Sequence, residues 1–186
     1  MNTLEHCLCS SSFWRYLTAR HVLPWILSGA CPGDHVLEIG AGYGPATSYL
    51  RSAVPRVTSL EYDANSIRQL KLKLPESEAV RGDGARMPFP AETFSCTIAI
   101  LVAHHLQSRE LQDHLFAEVF RVLRPGGVFL AFEIPDNWLN RVSHFRSTFT
   151  PVTPGSAFLR LDKAGFARVS VDFRRGGFRI SALRPY

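Results

Sequence analysis

One segment near the start of the chain constrains the fold more than any other. Residues 36–45 read Val-Leu-Glu-Ile-Gly-Ala-Gly-Tyr-Gly-Pro, an apolar run that leads into a glycine-rich turn. Glycines permit sharp turns and let the backbone approach another molecule closely. Pro45 suits the first position of a helix, because the N–H that proline lacks would be unpaired there. The segment therefore predicts a buried strand, a tight loop and a helix, in that order.

The rest of the first 134 residues repeats this alternation. Apolar runs predict strands at residues 35–39, 56–61, 79–82, 94–101 and 127–134. Helically spaced apolar residues predict helices at residues 45–53, 64–74 and 109–123. The last helix is expected to stop at the Arg-Pro-Gly-Gly sequence of residues 124–127. Such alternation is typical of a parallel sheet with helices on both faces.

The C-terminal part of the chain departs from this pattern. Residues 135–154 form an insert rich in Pro, Ser and Thr, and a short helix is predicted near residues 157–163. Two strands are predicted near residues 166–173 and 177–183, joined by Arg174-Arg175-Gly176. A connection this short requires antiparallel strands. The predicted fold is α/β, with a seven-stranded, mostly parallel sheet and one antiparallel strand.

An aromatic stretch at residues 13–27 has helical spacing and follows three serines suited to N-capping. It predicts one or two extra N-terminal helices, which Pro24 should break or restart. A chain of 186 residues supports one well-buried core, so we expect a single domain. Its predicted parts are an N-terminal helical lid (1–30), a core (31–134), an insert (135–154) and a closing helix with a strand pair (155–186).

Composition and charge narrow the function classes. No basic region precedes an apolar stretch at the start and no uncharged run approaches membrane-spanning length, so we expect a soluble, cytoplasmic protein. Four cysteines form no Cys-x-x-Cys pair and are expected to stay reduced. His6, Cys7 and Cys9 are conceivable metal ligands, but isolated Cys-x-Cys is common without a metal, and we predict no metal.

The net charge of +5 is unevenly distributed. Residues 1–140 contain 12 Lys and Arg against 14 Asp and Glu, whereas residues 141–186 contain 9 against 2. A basic region of this kind can attract an anionic acceptor, nucleic acid or membrane headgroups. Arginines that alternate along strands are more typical of a solvated face, so we expect no nucleic-acid partner.

Carboxylates end the first three predicted strands. Glu38 adjoins the glycine loop, whose G-x-G-x-G spacing has Pro45 in place of the third glycine of the dinucleotide fingerprint. A carboxylate beside this loop would repel a pyrophosphate and attract an ammonium group. Glu61 can accept hydrogen bonds from both hydroxyls of a ribose, a feature that NAD sites share and that therefore does not distinguish the two cofactors. Asp83, in Gly82-Asp83-Gly84, and the neighbouring backbone N–H groups can form hydrogen bonds with the edge of an adenine. Together these residues favour a nucleoside that carries an amino acid.

The chain resembles the class I S-adenosylmethionine-dependent methyltransferases, of the small group called methyltransferase type 11. The similar stretches are VLEIGAGYGPAT, VTSLEYDANSI, GDGARMPFPAETF, TIAILVAHHL and EVFRVLRPGG, which together cover about residues 35–134, and the tail LDKAGFARVSVDF. The resemblance implies a Rossmann-like fold and S-adenosylmethionine as the cofactor. Ser95 is a departure, since the family usually has Asp there, and it puts the stability of the strand start in doubt.

The resemblance also implies roles for residues of this chain. Glu38, Gly40, Ala41, Gly42 and the adjacent Tyr43 would hold the methionine end of the cofactor. Glu61 and Tyr62 would contact the ribose and one adenine face, Asp83, Gly84 and Ala85 would bind the adenine edge, and Ile100 and Leu101 would lie near the sulfonium.

A sulfonium is a strong electrophile, so the enzyme need mainly align the acceptor with the methyl group and exclude water. If the acceptor must lose a proton, His104, His105 and Glu133 are alternative candidates for the base.

Acceptor contacts are expected from the N-terminal stretch and from the insert. The candidates are Trp14, Tyr16, His21 and Trp25, and Trp138, His144, Phe145 and Phe149. Aromatics at helical spacing are more often core than pocket, so only some would line a site. As a hypothesis, the two segments form an apolar lid over a small-molecule acceptor.

Three functions remain open from the sequence: a small-molecule methyltransferase, an RNA or protein methyltransferase, and a non-catalytic S-adenosylmethionine-binding protein. An NAD-dependent dehydrogenase is the contrasting interpretation: such a chain would bind NAD, whereas a methyltransferase would bind S-adenosylhomocysteine and no NAD. The protein is expected to be a monomer or a homodimer.

Overall fold

The strand predicted before the glycine loop lies inside the sheet. The computed structural model describes residues 11–174 and 176–186, so His6, Cys7, Cys9 and the start of the predicted lid lie outside the described residues. The strands of the described part are β1 (His35–Ile39), β2 (Arg56–Glu61), β3 (Glu78–Arg81), β4 (Phe94–Ile100), β5 (Leu123–Glu133), β6 (Ala167–Arg174) and β7 (Gly177–Leu183). They lie side by side in the order β3-β2-β1-β4-β5-β7-β6.

The direction of each strand agrees with the sequence prediction. Strands β1 to β5 pair in parallel, whereas β7 runs antiparallel to both β5 and β6. The helices are α1 (Ser12–Leu17), α2 (Leu23–Ile26), α3 (Pro45–Ala53), α4 (Ala64–Lys73), α5 (Arg109–Val122), α6 (Trp138–Ser143) and α7 (Pro154–Lys163). The predicted Rossmann-like fold, a mostly parallel seven-stranded sheet with one antiparallel strand, is confirmed.

Helices cover both faces of the sheet. Successive side chains of a strand point to opposite faces. Leu37 of β1 belongs to a buried cluster that contains Leu115 of α5 and Leu161 of α7. Its neighbour Val36 belongs to a second buried cluster, on the other face of the sheet, which contains Leu50 of α3. All five residues of β1 are buried, as expected for a central parallel strand.

The N-terminal stretch forms one helical segment with an irregular middle. Ser11 caps α1, and its hydroxyl accepts a hydrogen bond from the Trp14 amide at 3.0 Å. A π-helical turn, Thr18–Val22, separates α1 from α2, which contains Pro24. Proline has no N–H and its ring crowds the preceding turn, so a wider turn there accommodates it. Pro24 therefore restarts the helix without breaking the segment.

Arginines of the last two strands anchor this segment. Nη1 of Arg179 donates to the carbonyl oxygens of Trp25 and Ser28, both at 3.0 Å. The guanidinium of Arg174 lies 4.8 Å from the centre of the Trp25 ring. Trp25 is buried and packs edge-on against Phe132 of β5. Trp25, an expected acceptor contact, is therefore part of the core.

Two local features differ from the sequence predictions. Strand β5 begins at Leu123, which pairs with Phe94, so the sequence expected to be a stop signal lies within the strand. The register shifts before Cys96 pairs with Val128, so a bulge absorbs this sequence. The insert contains the unpredicted helix α6, which Asn137 caps. No helix in the described residues has the length and apolar character of a membrane span.

Ser95 ties the start of β4 to the start of β1. Its Oγ accepts a hydrogen bond from the His35 amide at 2.9 Å. It lies 2.7 Å from the carbonyl oxygen of Pro32 and 3.0 Å from that of His35, either of which can accept its proton. The hydroxyl thus supplies the cap that the departure from the family pattern put in doubt.

We expect Ser95→Ala to lower the free energy of unfolding by about 1–2 kcal/mol, since it removes the hydroxyl partner of partly buried backbone groups of Pro32 and His35. Urea unfolding followed by circular dichroism measures the effect. Ser170→Ala, on the exposed side of β6, is the matched control and should change stability by less than about 0.5 kcal/mol. Equal stabilities for the two variants would contradict the capping role.

Candidate active site at the carboxyl edge of the sheet

The candidate site lies where the parallel strands end. Because β3, β2 and β1 are neighbours, the carboxylates Glu38, Glu61 and Asp83 lie at or just beyond the ends of three adjacent strands. The chain reverses its winding direction between β1 and β4, and α/β proteins bind ligands at such a switch point. The glycine loop starts at this point.

The glycine loop has a backbone that other residues rarely adopt. Gly40 and Gly42 have φ angles of 71° and 54°. A Cβ at residue 40 would lie 2.6 Å from Cγ2 of Val102, so the loop after β4 packs directly on Gly40. A Cβ at residue 42 would meet no atom within 4 Å, so space for a ligand adjoins this backbone. Ala41 is buried and Tyr43 is half-buried.

Glu38 is a buried carboxylate in the middle of the sheet. Its Oε2 accepts hydrogen bonds from the hydroxyls of Thr47, at 2.5 Å, and Ser59, at 2.8 Å. Burial raises the pKa of Glu38 to about 7, and these hydroxyls oppose that rise. A cation beside the carboxylate would favour its ionised form. The geometry therefore suits a positively charged ligand group.

Glu61 closes the glycine loop. Its Oε2 accepts a hydrogen bond from the Gly42 amide at 2.7 Å, and its Oε1 accepts one from the Asp63 amide at 2.8 Å. Each carboxylate oxygen has further acceptor capacity, which a pair of ribose hydroxyls can use. The carboxylate is thus held in place by the backbone of the loop.

The predicted adenine-binding residues lie on the exposed side of the site. The ring of Tyr62 is largely exposed, with 73% of the residue accessible to solvent. Oδ1 of Asp83 accepts a hydrogen bond from the Ala85 amide at 2.9 Å, across Gly84. The turn therefore fixes the direction of an exposed carboxylate.

The end of β4 has a strained backbone. Leu101 has a φ angle of 57°, which is unusual for a residue other than glycine. Its amide donates to the carbonyl oxygen of Phe132 at 2.8 Å, which holds the turn against β5. Ile100 and Leu101 are both half-buried. Strain of this kind clusters at functional sites because the surrounding structure must maintain it.

The sequence offers His104 and Glu133 as alternative bases, but the structure pairs them. Both are buried, and Nδ1 of His104 lies 2.5 Å from Oε2 of Glu133. Oε1 of Glu133 accepts hydrogen bonds from the amides of Val102, at 3.2 Å, and Ala103, at 2.8 Å. Both oxygens of Glu133 are therefore engaged. These contacts fix the orientation of the imidazole and of the turn that carries it.

Gln112 fixes the same turn from the other side. Its amide nitrogen donates to the carbonyl oxygens of Ala103, at 2.9 Å, and Thr150, at 2.7 Å. Its Oε1 accepts from Nη1 of Arg160 at 2.7 Å. Gln112 is fully buried in α5, so the turn after β4 and the end of the insert are held to one helix.

Three imidazoles meet between this turn and the insert. The ring centres of His104 and His105 lie 4.2 Å apart, and that of His144 lies 5.1 Å from the first and 5.5 Å from the second. Phe149 stacks on His144, with 4.4 Å between the ring centres. The structure thus joins the two histidines after β4 with one of the predicted acceptor contacts.

The other predicted acceptor contacts fall into separate places. Tyr16 and His21 line an open cavity of about 510 Å³ on the N-terminal segment, together with Ala19, Arg20, Pro24 and Tyr49. Trp14 is half-buried, whereas Trp138 and Phe145 of the insert are exposed. The sequence therefore identified aromatic candidates without showing which of them share a surface.

Thr47, Ser59 and Gln112 were not predicted as site residues. Ser59 was recognisable in principle, because it is a polar residue within the buried run Val57 to Leu60. It also lies opposite Glu38 in the register of β1 and β2. Gln112 interrupts the apolar face of α5 and is one of its buried residues. Polar residues at such positions usually bond a buried group.

The raised pKa of Glu38 predicts a pH-dependent stability. Between the usual pKa of about 4.5 and the folded value of about 7, the folded protein binds more protons than the unfolded chain. Wild-type stability should therefore fall by about 3 kcal/mol, relative to Glu38→Gln, as pH rises through this window. Glutamine retains an oxygen that accepts from both hydroxyls. Urea unfolding of both proteins without cofactor, at pH 5, 6, 7 and 8, measures the difference, and parallel curves would contradict it.

Comparison with known proteins supports the resemblance. A probable S-adenosylmethionine-dependent methyltransferase of Mycolicibacterium smegmatis is 29% identical over 79% of this chain and 53% of its own length. A fatty-acid O-methyltransferase of the same species is 36% identical over 53% of this chain and 36% of its own length. The chain therefore spans about half the first relative and about a third of the second.

The fold comparison agrees. A solved structure of an S-adenosylmethionine-dependent methyltransferase from Methanosarcina mazei matches with a TM-score of 0.73 and 19% identity, over 87% of this chain and 97% of that one. Residues 37–131, just over half of the chain, match the family model described as a methyltransferase domain. The chain therefore belongs to the class I S-adenosylmethionine-dependent methyltransferase family.

Proposed function

We propose that this chain transfers a methyl group from S-adenosylmethionine to a small-molecule acceptor. The observation that carries the proposal is the buried carboxylate of Glu38 beside the glycine loop, with Glu61 and Asp83 at or just beyond the ends of the next two strands. A dinucleotide would bring a pyrophosphate to Glu38, whereas a methionine moiety would bring an ammonium group.

The residues of the site fit this cofactor. The open space at Gly42 admits a ligand next to the loop, and Glu38 offers a carboxylate inside the protein. Glu61 would accept the ribose hydroxyls, and Tyr62 and Asp83 would contact the adenine face and edge. When bound, the cofactor supplies a methyl group on a sulfonium.

The chain's own contribution is alignment and exclusion of water. An activated methyl group needs no nucleophilic side chain, so most of the rate enhancement must come from holding the acceptor in line. The turn after β4, which Glu133 and Gln112 hold rigid, would place His104 and His105 at the acceptor. One of these imidazoles would take up a proton from a hydroxyl or thiol acceptor.

The acceptor class proposed is a small apolar or partly aromatic molecule. The cavity lined by Tyr16 and His21 is of the size that small-molecule sites commonly have. The insert presents exposed apolar side chains at Trp138 and Phe145. The fatty-acid O-methyltransferase relative acts, by its name, on an apolar acid.

An RNA or protein acceptor is less well supported. Arg141, Arg160 and Arg179, which belong to the basic C-terminal quarter, each bond a carboxylate of this chain. Arginines engaged in this way offer less attraction to phosphates than their number suggests.

Calorimetry with S-adenosylhomocysteine tests the cofactor assignment. We expect one binding site for this ligand and no binding of NAD, with affinity at least tenfold weaker in Glu38→Ala and Asp83→Ala. Glu76→Ala, an exposed residue before β3 and away from the carboxyl edge, is the matched control. The proposal fails if NAD binds instead or if the three variants bind alike.

The same titration should depend on pH. With the pKa of Glu38 at about 7, most of the free protein carries a neutral Glu38 at pH 6. Affinity for the ligand's ammonium group should therefore fall roughly tenfold between pH 8 and pH 6. Glu38→Gln should bind weakly at both pH values, and a fall as steep as in the wild type would mean that another group is responsible.

Acceptor recognition is tested by methyl transfer to a panel of fatty acids, phenols and small thiols, measured by mass spectrometry. For an acceptor that turns over, Tyr16→Ala and His21→Ala should raise KM several-fold while affinity for S-adenosylhomocysteine is retained. Phe13→Ala, on the same segment but outside the cavity, is the control. Turnover of RNA and of no small molecule would favour the alternative.

A further inference from the structure

The cluster formed by His104, His105 and His144 has the composition of a metal site. Each imidazole offers a nitrogen, and these nitrogens all lie within 4.8 Å of one another. In a tetrahedral zinc site, with Zn–N distances of about 2.0–2.1 Å, ligand nitrogens are separated by roughly 3.3 Å. His104 and His144 are buried and His105 is half-buried, so rotation of the His105 side chain with small shifts of the other two rings would close a gap of this size. We propose that the three histidines bind a divalent transition-metal ion, with Zn²⁺ favoured.

Hydrogen bonds place the lone pair of His104 on Nε2. Because Nδ1 lies 2.5 Å from the carboxylate of Glu133, which can only accept, Nδ1 carries the proton. A neutral imidazole then has its lone pair on the other nitrogen. Metal-binding histidines are typically oriented by a carboxylate in this way.

His144 is oriented by the same principle. Its Nδ1 lies 2.7 Å from the carbonyl oxygen of Asn140, a group that only accepts, and 3.1 Å from the hydroxyl oxygen of Ser143. That hydroxyl donates its own proton to the same carbonyl oxygen at 2.9 Å, so both contacts put the proton on Nδ1 and the lone pair of the neutral ring on Nε2. Carboxylates and backbone carbonyls are the usual partners of a histidine ligand's second nitrogen. Two histidines from different segments therefore present ligand nitrogens in the tautomer that a metal requires.

The cluster is also rigid where a metal site needs rigidity. His104 is buried. The turn that carries it is held by hydrogen bonds from the amides of Val102 and Ala103 to Glu133, and by one from Gln112 to the carbonyl oxygen of Ala103. A metal site gains affinity when its ligands are held in position before the ion arrives. His144 lies at the end of α6, which Asn137 caps.

The donor set decides the class of ion. Neutral imidazoles suit Zn²⁺, Cu²⁺, Ni²⁺ and Co²⁺, whereas Mg²⁺ and Ca²⁺ prefer oxygen ligands. Three protein ligands leave a fourth position for water or another molecule, which is the arrangement of catalytic zinc sites.

The position of the cluster links it to the acceptor. Val102, two residues before His104, packs on Gly40 of the glycine loop. Resting on the proposed function, an acceptor hydroxyl bound at the fourth position would have a lowered pKa and would release its proton to bulk water before its oxygen attacks the methyl group. The ion would then activate the acceptor in place of an imidazole.

Metal binding is measured directly, without turnover. The untagged full-length protein, carrying Cys7→Ser and Cys9→Ser to remove competing thiolates, is stripped with EDTA, dialysed and titrated with Zn²⁺ by calorimetry. Co²⁺ titration with visible absorption reports the coordination geometry. We expect one Zn²⁺ per chain, a tetrahedral Co²⁺ spectrum and a rise in Tm with Zn²⁺, because an ion that binds only the folded state stabilises it.

Variants identify the ligands. His105→Gln and His144→Gln should each weaken Zn²⁺ binding at least tenfold, whereas His114→Gln, an exposed histidine of α5, should bind as the parent does. Circular dichroism confirms that each variant is folded. The proposal is overturned if the parent binds no Zn²⁺ or if all three variants bind equally, which would leave the cluster as packed rings around Phe149.

Glu133→Gln separates a metal site from a packing cluster. The amides of Val102 and Ala103 require the glutamine oxygen on their side, so its amide nitrogen must face His104. It would donate to Nδ1 and move the imidazole proton to Nε2. We expect at least tenfold weaker Zn²⁺ binding and a changed ¹⁵N tautomer pattern for His104; unchanged binding would contradict the assignment. S-adenosylhomocysteine calorimetry on the same protein tests the proposed function separately, because that site does not include these histidines.

Discussion

Helices cover both faces of the central strands, and this constraint decides where chemistry can occur. The strands of a parallel sheet of this kind carry mostly apolar side chains, so most polar groups that can meet a ligand lie where the strands end. In this chain the carboxyl ends of β1 to β5 carry or immediately precede the glycine loop, the three aligned carboxylates and the histidine turn. The site therefore lies at the edge where the parallel strands end and polar side chains follow them.

Two buried carboxylates illustrate different ways to keep charge inside a protein. Glu38 has hydroxyl partners from Thr47 and Ser59, and burial raises its pKa to about 7. Glu133 has two backbone amides and an imidazole, which arrange a turn around it. The first carboxylate is suited to a ligand cation, and the second orients the protein's own groups. Glu38 belongs to β1 and Glu133 to β5, the two strands that flank β4, so both carboxylates lie at the same edge of the sheet.

The sequence predicted local structure well, because periodicity and caps are local signals. The bounds of β1, β2 and α3 agree with the predicted ones, and the antiparallel strand followed from one short connection. Strand β5 started earlier than predicted, because its pairing with Phe94 outweighed the local signal of Pro125 and Gly126.

The relations within the site were harder to predict. His104 and Glu133 were candidates for the same role, and only the register of β4 with β5, which pairs Ile100 with Phe132, shows that the two side chains meet. His144 comes from the insert, whose path over the sheet no local pattern specifies. Aromatic residues were identified, but their sorting into Trp25 in the core and Tyr16 on a cavity depends on packing across the whole molecule.

The anchoring of Trp25 and Ser28 by Arg179 has a consequence for motion. The end of the N-terminal segment is fastened to β7, three strands away from β1, which leads into the glycine loop. Any opening of this segment must therefore pivot before Leu23, and the π-helical turn at Thr18–Val22 is the irregular place where the backbone can bend. A bend at this turn would move Tyr16 relative to Pro24 and Tyr49, which line the same cavity, so the shape of that cavity depends on a segment that Arg179 holds at one end only.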